Sequence, residues 1–340
     1  MSVAPTSRLR HRMRRHLVTT LALASACLGV VASPTIAHAA DSDTNSAYTT
    51  YSTYSNVSYA SAQSEIFDLY VPKGARKSVP VVVYVHGGGW GGGDKAELRA
   101  LPEWDSLLSH GFAVASVNYT LSGSAKSPTQ VKEVKSAIRY LRANKSDYGL
   151  NGEVGLMGGS AGGQIVSEVG TSCGVRSLEG AIGTTGPSSC VDAVVDLSGP
   201  TDFTKAAGYP LFESSGAAYL GCSDGLDFCT AEQLEQASPL PYISSARKLP
   251  AFLIGHGDAD DQIPIGQSQL LYSALRKACG DVTMHTLHGE GHFFPFTGGL
   301  SEPYPAQTVQ TSKGCGKTGT STGPALSLDT IGSFFRAHLR

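Results

Sequence analysis

The sequence lacks the marks of several protein classes. No basic stripe runs along it. Beyond residue 39 it holds 21 Lys+Arg against 28 Asp+Glu, a net of −7 with histidines neutral, which argues against a nucleic-acid partner. There is no Cys-x-x-Cys pair and no His/Cys cluster of ligand spacing, so no zinc site is expected. No internal repeat is present, which removes solenoids and propellers. No long apolar lid helix of the kind a triglyceride lipase carries is visible, nor is a carbohydrate-binding module. The apolar stretch Leu17 to Val31 is too short and too rich in alanine for a convincing membrane span.

What the N-terminus does contain is a targeting pattern. Arg8, Arg10, Arg12, Arg14 and Arg15 form a basic region without an acid, the Leu17–Val31 stretch follows, and Ala37-His38-Ala39 offers a small-x-small cleavage site. The expectation is a signal peptide over 1–39 and a secreted mature chain of 301 residues. Arg14-Arg15 leaves the twin-arginine route open beside Sec. Lipoprotein anchoring at Cys27 is the alternative that Ala24-Ser25-Ala26-Cys27 suggests. Residues 40–62, rich in Ser, Thr and Tyr, read as a flexible leader, a first edge strand, or both. Residues 63–340 read as one domain, with 198–241 a candidate cap insertion.

Six cysteines remain after Cys27 leaves: Cys173, Cys190, Cys222, Cys229, Cys279 and Cys315. In an oxidising compartment they are expected to form disulfides, and sequence proximity pairs Cys173–Cys190, Cys222–Cys229 and Cys279–Cys315.

The chemistry is carried by four glycine-rich stretches, each after a strand-like run. Gly158-Gly159-Ser160-Ala161-Gly162-Gly163 lies between the apolar run 153–157 and a helix-like run from Gln164, the layout of a nucleophile elbow. Side chains at the flanking positions would collide with the neighbouring strand and helix, and a helix N-terminus behind the serine favours a developing oxyanion. His86-Gly87-Gly88-Gly89-Trp90 follows Pro80–Val85, a buried-strand pattern. Such a loop turns backbone N–H groups toward one point, with Gly88, Gly89 and Ala161 as the donors. After the strand-like 249–255 comes His256-Gly257-Asp258-Ala259-Asp260-Asp261, and spacing alone does not choose the acid among Asp258, Asp260 and Asp261. After 282–287 comes His288-Gly289-Glu290-Gly291-His292, where His292 is the candidate base. His285 and His110 read as structural. The order Ser, Asp, His fits this hydrolase type.

Together these motifs resemble the α/β-hydrolases, in the secreted bacterial esterase/lipase group with a His-Gly-Gly-Gly loop (hormone-sensitive-lipase-like, feruloyl-esterase-like). The resemblance spans about Glu65 to His292 and includes Asp68-Leu69-Tyr70-Val71-Pro72 and Val117-Asn118-Tyr119. It implies Asp260 as the triad acid, since two residues and then Ile263-Pro264 follow, with His292 as base and Ser160 as nucleophile. Two departures stand out: Thr120 where the group usually has arginine, and a long Gly/Ser/Thr/Pro-rich segment over 295–324.

Strands are expected over 66–71 and 111–118, flanking the 80–85 strand, and over 191–197. Helices are expected over 128–145, 265–277 and 326–339. The expected fold is α/β, a mainly parallel sheet with helices on both faces and a small cap. The expected function is a serine esterase acting on small or polymer-linked esters of short acyl chains, needing no metal or organic cofactor, with Trp90 walling a small acyl pocket. An amidase or exopeptidase with the same triad, an aryl formamide hydrolase, and a non-catalytic binding module are the alternatives.

Overall fold

The structure is a computed structural model that describes residues 50–75, 77–223 and 225–339. The expected signal peptide, Cys27 and the first ten residues of the expected leader lie outside the described residues.

Ten strands form one sheet: β1 (Tyr51–Ser58), β2 (Ile66–Pro72), β3 (Val79–Val85), β4 (Ala113–Val117), β5 (Leu150–Gly159), β6 (Ala193–Leu197), β7 (Ala251–Gly257), β8 (Val282–Leu287), β9 (Gln307–Lys313) and β10 (Lys317–Ser321). Their order is β1-β2-β4-β3-β5-β6-β7-β8-β9-β10. From β4 to β8 neighbouring strands run parallel, and antiparallel strands close both margins. The helices are α1 (Ser106–Ser109), α2 (Thr129–Ala143), α3 (Ala161–Thr171), α4 (Arg176–Glu179), α5 (Pro210–Leu220), α6 (Ala231–Gln236), α7 (Gly266–Lys277) and α8 (Leu328–His338).

β3 shows why the sheet is covered twice. Val81, Val83 and Val85 belong to one apolar cluster with residues of α2, α3 and α7, while Val82 and Tyr84 belong to a second with residues of α1 and α8. Successive side chains of a strand point to opposite faces, so an unbroken apolar run needs helices on both.

One expectation needs correction. β2 does not flank β3: it pairs antiparallel with β4, while β3 lies between β4 and β5. Both edges of β3 are taken by parallel partners, which the short link from β2 could not supply, since a parallel pair needs a crossover of a dozen or more residues. Part of the 40–62 stretch, read as a leader, a first edge strand or both, is the edge strand β1, so the sheet begins before residue 63. Within the 295–324 segment, β9 and β10 form an antiparallel hairpin that extends the sheet beyond β8.

The three disulfides join Cys173 to Cys190, Cys222 to Cys229 and Cys279 to Cys315. The first ties the end of α3 to the entry of β6, the second closes a loop between α5 and α6, and the third fastens the end of α7 to the turn of the β9–β10 hairpin.

Candidate active site

The register aligns the carboxyl ends of the central strands. Val85 lies opposite Gly158, Gly158 opposite Asp196, and Asp196 opposite Ile254. The loops that follow carry His86 to Trp90, Ser160, Asp260 and His292, at the edge where open parallel sheets gather ligands.

Ser160 sits between β5 and α3 with φ +54° and ψ −124°, a conformation costly for a side-chain-bearing residue. Its amide donates to the Leu197 carbonyl at 2.8 Å. The turn closes only because of its glycines. A Cβ on Gly158 would meet the Gly162 carbonyl oxygen at 2.5 Å, and one on Gly162 would press into the Val85 carbonyl. Those contacts are to backbone, which cannot swing away.

His292 Nε2 lies 2.9 Å from Ser160 Oγ, and His292 Nδ1 lies 2.7 Å from Asp260 Oδ2. The other carboxylate oxygen of Asp260 accepts from the amides of Gln262 (2.9 Å) and Ile263 (2.8 Å). Asp258 instead faces the exposed His288, 2.8 Å from its Nδ1. Of the three candidate acids, Asp260 is thus the one bonded to His292. His285 lies buried against Gln307, and His110 pairs with Asp329, both away from the serine.

A second histidine, missed in the sequence, reaches the same carboxylate. His256 is fully buried, with Nε2 3.2 Å from Asp260 Oδ2 and 3.0 Å from the Ile263 carbonyl. Its Nδ1 is 2.7 Å from Ser268 Oγ. Nε2 faces two acceptor oxygens and so donates to them. Burial pushes the Asp260 carboxyl up, but hydrogen bonds from His256 and His292 outweigh it and hold the group well below the ordinary carboxylate range. Asp260 therefore stays ionised throughout mildly acidic conditions.

Across from the serine lies the glycine loop. A Cβ on Gly87 would be 3.4 Å from Ser160 Cβ, and one on Gly89 would be 3.2 Å from Ser215 Cβ on α5. The loop thus runs from the serine to α5. Gly87 donates its amide to Glu97 Oε1 at 3.1 Å. Among the described residues no protein acceptor is bonded to the amide of Gly88, Gly89 or Ala161.

These residues line one cavity of about 760 Å³, together with Leu211, Phe212, Phe293 and Phe296. That is larger than the small pocket expected from the sequence, because α5 and the loop after His292 both add walls. Trp90 lines it but is almost wholly buried, at 1% exposure. Its ring stacks on Tyr219 at 4.6 Å and its indole N–H donates to Gln164 Oε1 at 2.9 Å. Gln164 in turn donates to the buried carboxyl of Glu168, which burial pushes up to about 8 despite that bond.

The BD-FAE family model matches residues 67–275. The chain belongs to the BD-FAE family. Among its relatives, Esterase LipQ of Mycobacterium tuberculosis is 27% identical over 242 residues, 68% of this chain and 54% of LipQ. The probable isoprenylcysteine alpha-carbonyl methylesterase ICMEL1 of Arabidopsis thaliana is 26% identical over 269 residues, 73% of this chain and 54% of that protein. The chain spans about half the length of these curated relatives. Among solved structures, a truncated carbohydrate esterase from gut microbiota is 30% identical with a TM-score of 0.63, covering 71% of this chain and 88% of that one. An acetyl ester-xyloside bifunctional hydrolase from Caldicellulosiruptor lactoaceticus, 22% identical with a TM-score of 0.55 over 68% and 80% of the two chains, shares the fold. The family is thus placed on the α/β-hydrolase fold, and its named relatives are esterases.

Proposed function

We propose that this protein is a secreted serine esterase that hydrolyses carboxylic esters through an acyl-enzyme. The observation that carries the reading is the hydrogen-bonded run Asp260–His292–Ser160 opening into a cavity beside unengaged loop amides. Ser160 Oγ attacks the ester carbonyl carbon while His292 Nε2 takes the hydroxyl proton. Asp260 fixes the ring through Nδ1 and stabilises its charged form. The amides of Gly88, Gly89 and Ala161 receive the oxyanion. As the tetrahedral adduct collapses, the carbon–oxygen bond to the alcohol breaks and His292 returns its proton to the departing oxygen. Water then gives a proton to His292 and attacks the acyl carbon, the bond to Ser160 Oγ breaks, and His292 returns that proton to Oγ as the acid leaves.

The closeness of Gly89 to Ser215 supports a short acyl group, because α5 closes that end of the cavity against Trp90. The six paired cysteines are compatible with an oxidising, extracellular site of action.

A fluorophosphonate probe tests the chemistry: labelling at Ser160 is expected, and an unlabelled, folded protein would mean a binding module. A series of p-nitrophenyl esters tests the acyl length. kcat/KM is expected to peak between acetyl and butyryl and to fall beyond about six carbons, since each methylene adds burial only until the end wall is met. A steady rise to dodecanoyl would overturn the short-chain reading.

A further inference from the structure

The cavity holds one carboxylate, and the reaction above does not use it. Glu97 is the only acidic side chain among the residues lining it. It stands on the 3-10 turn Lys95–Ala100, whose first amides are capped by Asp94. Its Oε1 is fully engaged, accepting from the Tyr84 hydroxyl at 3.0 Å and the Gly87 amide at 3.1 Å. Burial first, and then the charge of Glu97, push the Tyr84 phenol well above its ordinary value, so that phenol stays a donor. Among the described residues, Oε2 accepts no hydrogen bond and no lysine or arginine pairs with the group. A half-buried carboxylate held rigidly by one oxygen, with the other unpaired at a cavity wall, is a ready acceptor for a ligand's donor.

Its location says which half of the substrate it meets. The Gly89 end of the loop abuts α5, where the acyl chain is placed above. A Cβ on Gly87, at the other end, would be 3.7 Å from Glu97 Oε1. Glu97 thus stands at the end left to the alcohol. We infer that Glu97 is a specificity-determining residue that accepts a hydrogen bond from a free hydroxyl on the alcohol half of the ester, so that esters of polyols are favoured over esters of simple alkanols. This rests on the esterase reading. The hydroxyl loses its water on entering the cavity, and only an acceptor there restores the bond, so an ester without it leaves Oε2 unsatisfied.

The test compares 2,3-dihydroxypropyl butyrate with propyl butyrate, which share the acyl group and the carbon count. The wild-type protein is expected to favour the dihydroxy ester in kcat/KM. Glu97→Gln keeps an oxygen for Tyr84 and Gly87 but turns Oε2 into a donor, and is expected to lower the ratio of the two kcat/KM values about tenfold, the scale of one hydrogen bond to a charged group. An equal fall for both esters would mean that Glu97 acts only through Gly87 and would overturn the inference. So would the lack of any wild-type preference, which is measured without the variant. A preference for butyrylcholine over its neutral 3,3-dimethylbutyl analogue that Glu97→Gln abolishes would make this a cation site instead. Failure of the wild type to hydrolyse any of these esters would overturn the esterase reading itself.

Discussion

Two places in this molecule hold a carboxylate, an imidazole and a hydroxyl at nearly the same distances. In one, Asp260 lies 2.7 Å from His292 Nδ1 and Ser160 lies 2.9 Å from Nε2. In the other, Asp258 lies 2.8 Å from His288 Nδ1 and the Thr308 hydroxyl lies 2.9 Å from Nε2. Everything else differs. The side chains of Asp260 and His292 are 0% and 5% exposed, those of Asp258 and His288 37% and 45%. Ser160 stands on a strained turn at a helix N-terminus, whereas Thr308 lies in the regular strand β9. The Ser160 run opens into the cavity beside the loop amides, and none of the residues of the Thr308 run lines that cavity. On the proposed esterase reading, acid, base and hydroxyl at bonding distance are not what makes a hydrolytic site. The surroundings do: a hydroxyl held exposed, donors waiting for an oxyanion, and walls that exclude water.

The largest effect should separate the two hydroxyls. Ser160→Ala is expected to lower kcat on p-nitrophenyl butyrate by roughly 10⁴ or more, since only oxyanion and binding contributions survive. Thr308→Val removes the same kind of atom from the other run and should alter kcat by less than about twofold, as a surface change away from the chemistry. A comparable loss in both variants would sink the distinction.

The two acids come next. Asp260→Asn should cost about 10⁴ in kcat, because the amide favours the wrong histidine tautomer. Asp258→Asn should be mild. A worse loss from Asp258→Asn would show that the acid has been misassigned, whatever the hydrogen bonds suggest.

The fate of each residue in this comparison shows what a sequence can disclose. Ser160 was legible because its turn needs glycines at fixed places, and steric need leaves a pattern in the chain. Asp260 was not legible from spacing: Asp258, Asp260 and Asp261 are equivalent on paper, and only the resemblance chose among them. What separates them is the fold of the turn, which directs Asp258 to His288 and Asp260 to His292. His256 and Glu97 left no signal, because their contacts depend on how the turns after β7 and β3 fold back rather than on any residue pattern. The parallel centre of the sheet was readable from its unbroken apolar strands. The β9–β10 hairpin was hidden by composition, since β10 is exposed along its whole length and needs no apolar side chains.

The Cys279–Cys315 bridge bears on the second run alone. It fastens the hairpin that carries Thr308 to the end of α7. Replacing both cysteines with serine should cost about 2–4 kcal/mol of stability. In hydrogen exchange, the amides of 307–321 should lose protection before those of α3, since local opening follows the weakest-held unit. Equal loss at both places would show that the hairpin opens only with the whole sheet.

The smallest effect concerns pH and salt. Hydrogen bonds from His288 and from the Gly289 amide hold the Asp258 carboxyl below its ordinary value. A carboxyl whose folded value is depressed adds stability above its unfolded value, about 4, and loses it as pH falls through the folded value. The wild-type protein should therefore lead Asp258→Asn in Tm at neutral pH and lose that lead as acid is added. The lead should be slight, within the ~0–1 kcal/mol usual for exposed pairs, and about 1 M salt should shrink it further because these groups face water. The corresponding carboxyl of Asp260 is shielded from solvent, so salt should barely touch its contribution. If the Asp258→Asn difference resists salt, the outer pair is more enclosed in solution than its exposure implies. The two runs would then differ in their oxyanion donors and strained serine rather than in burial.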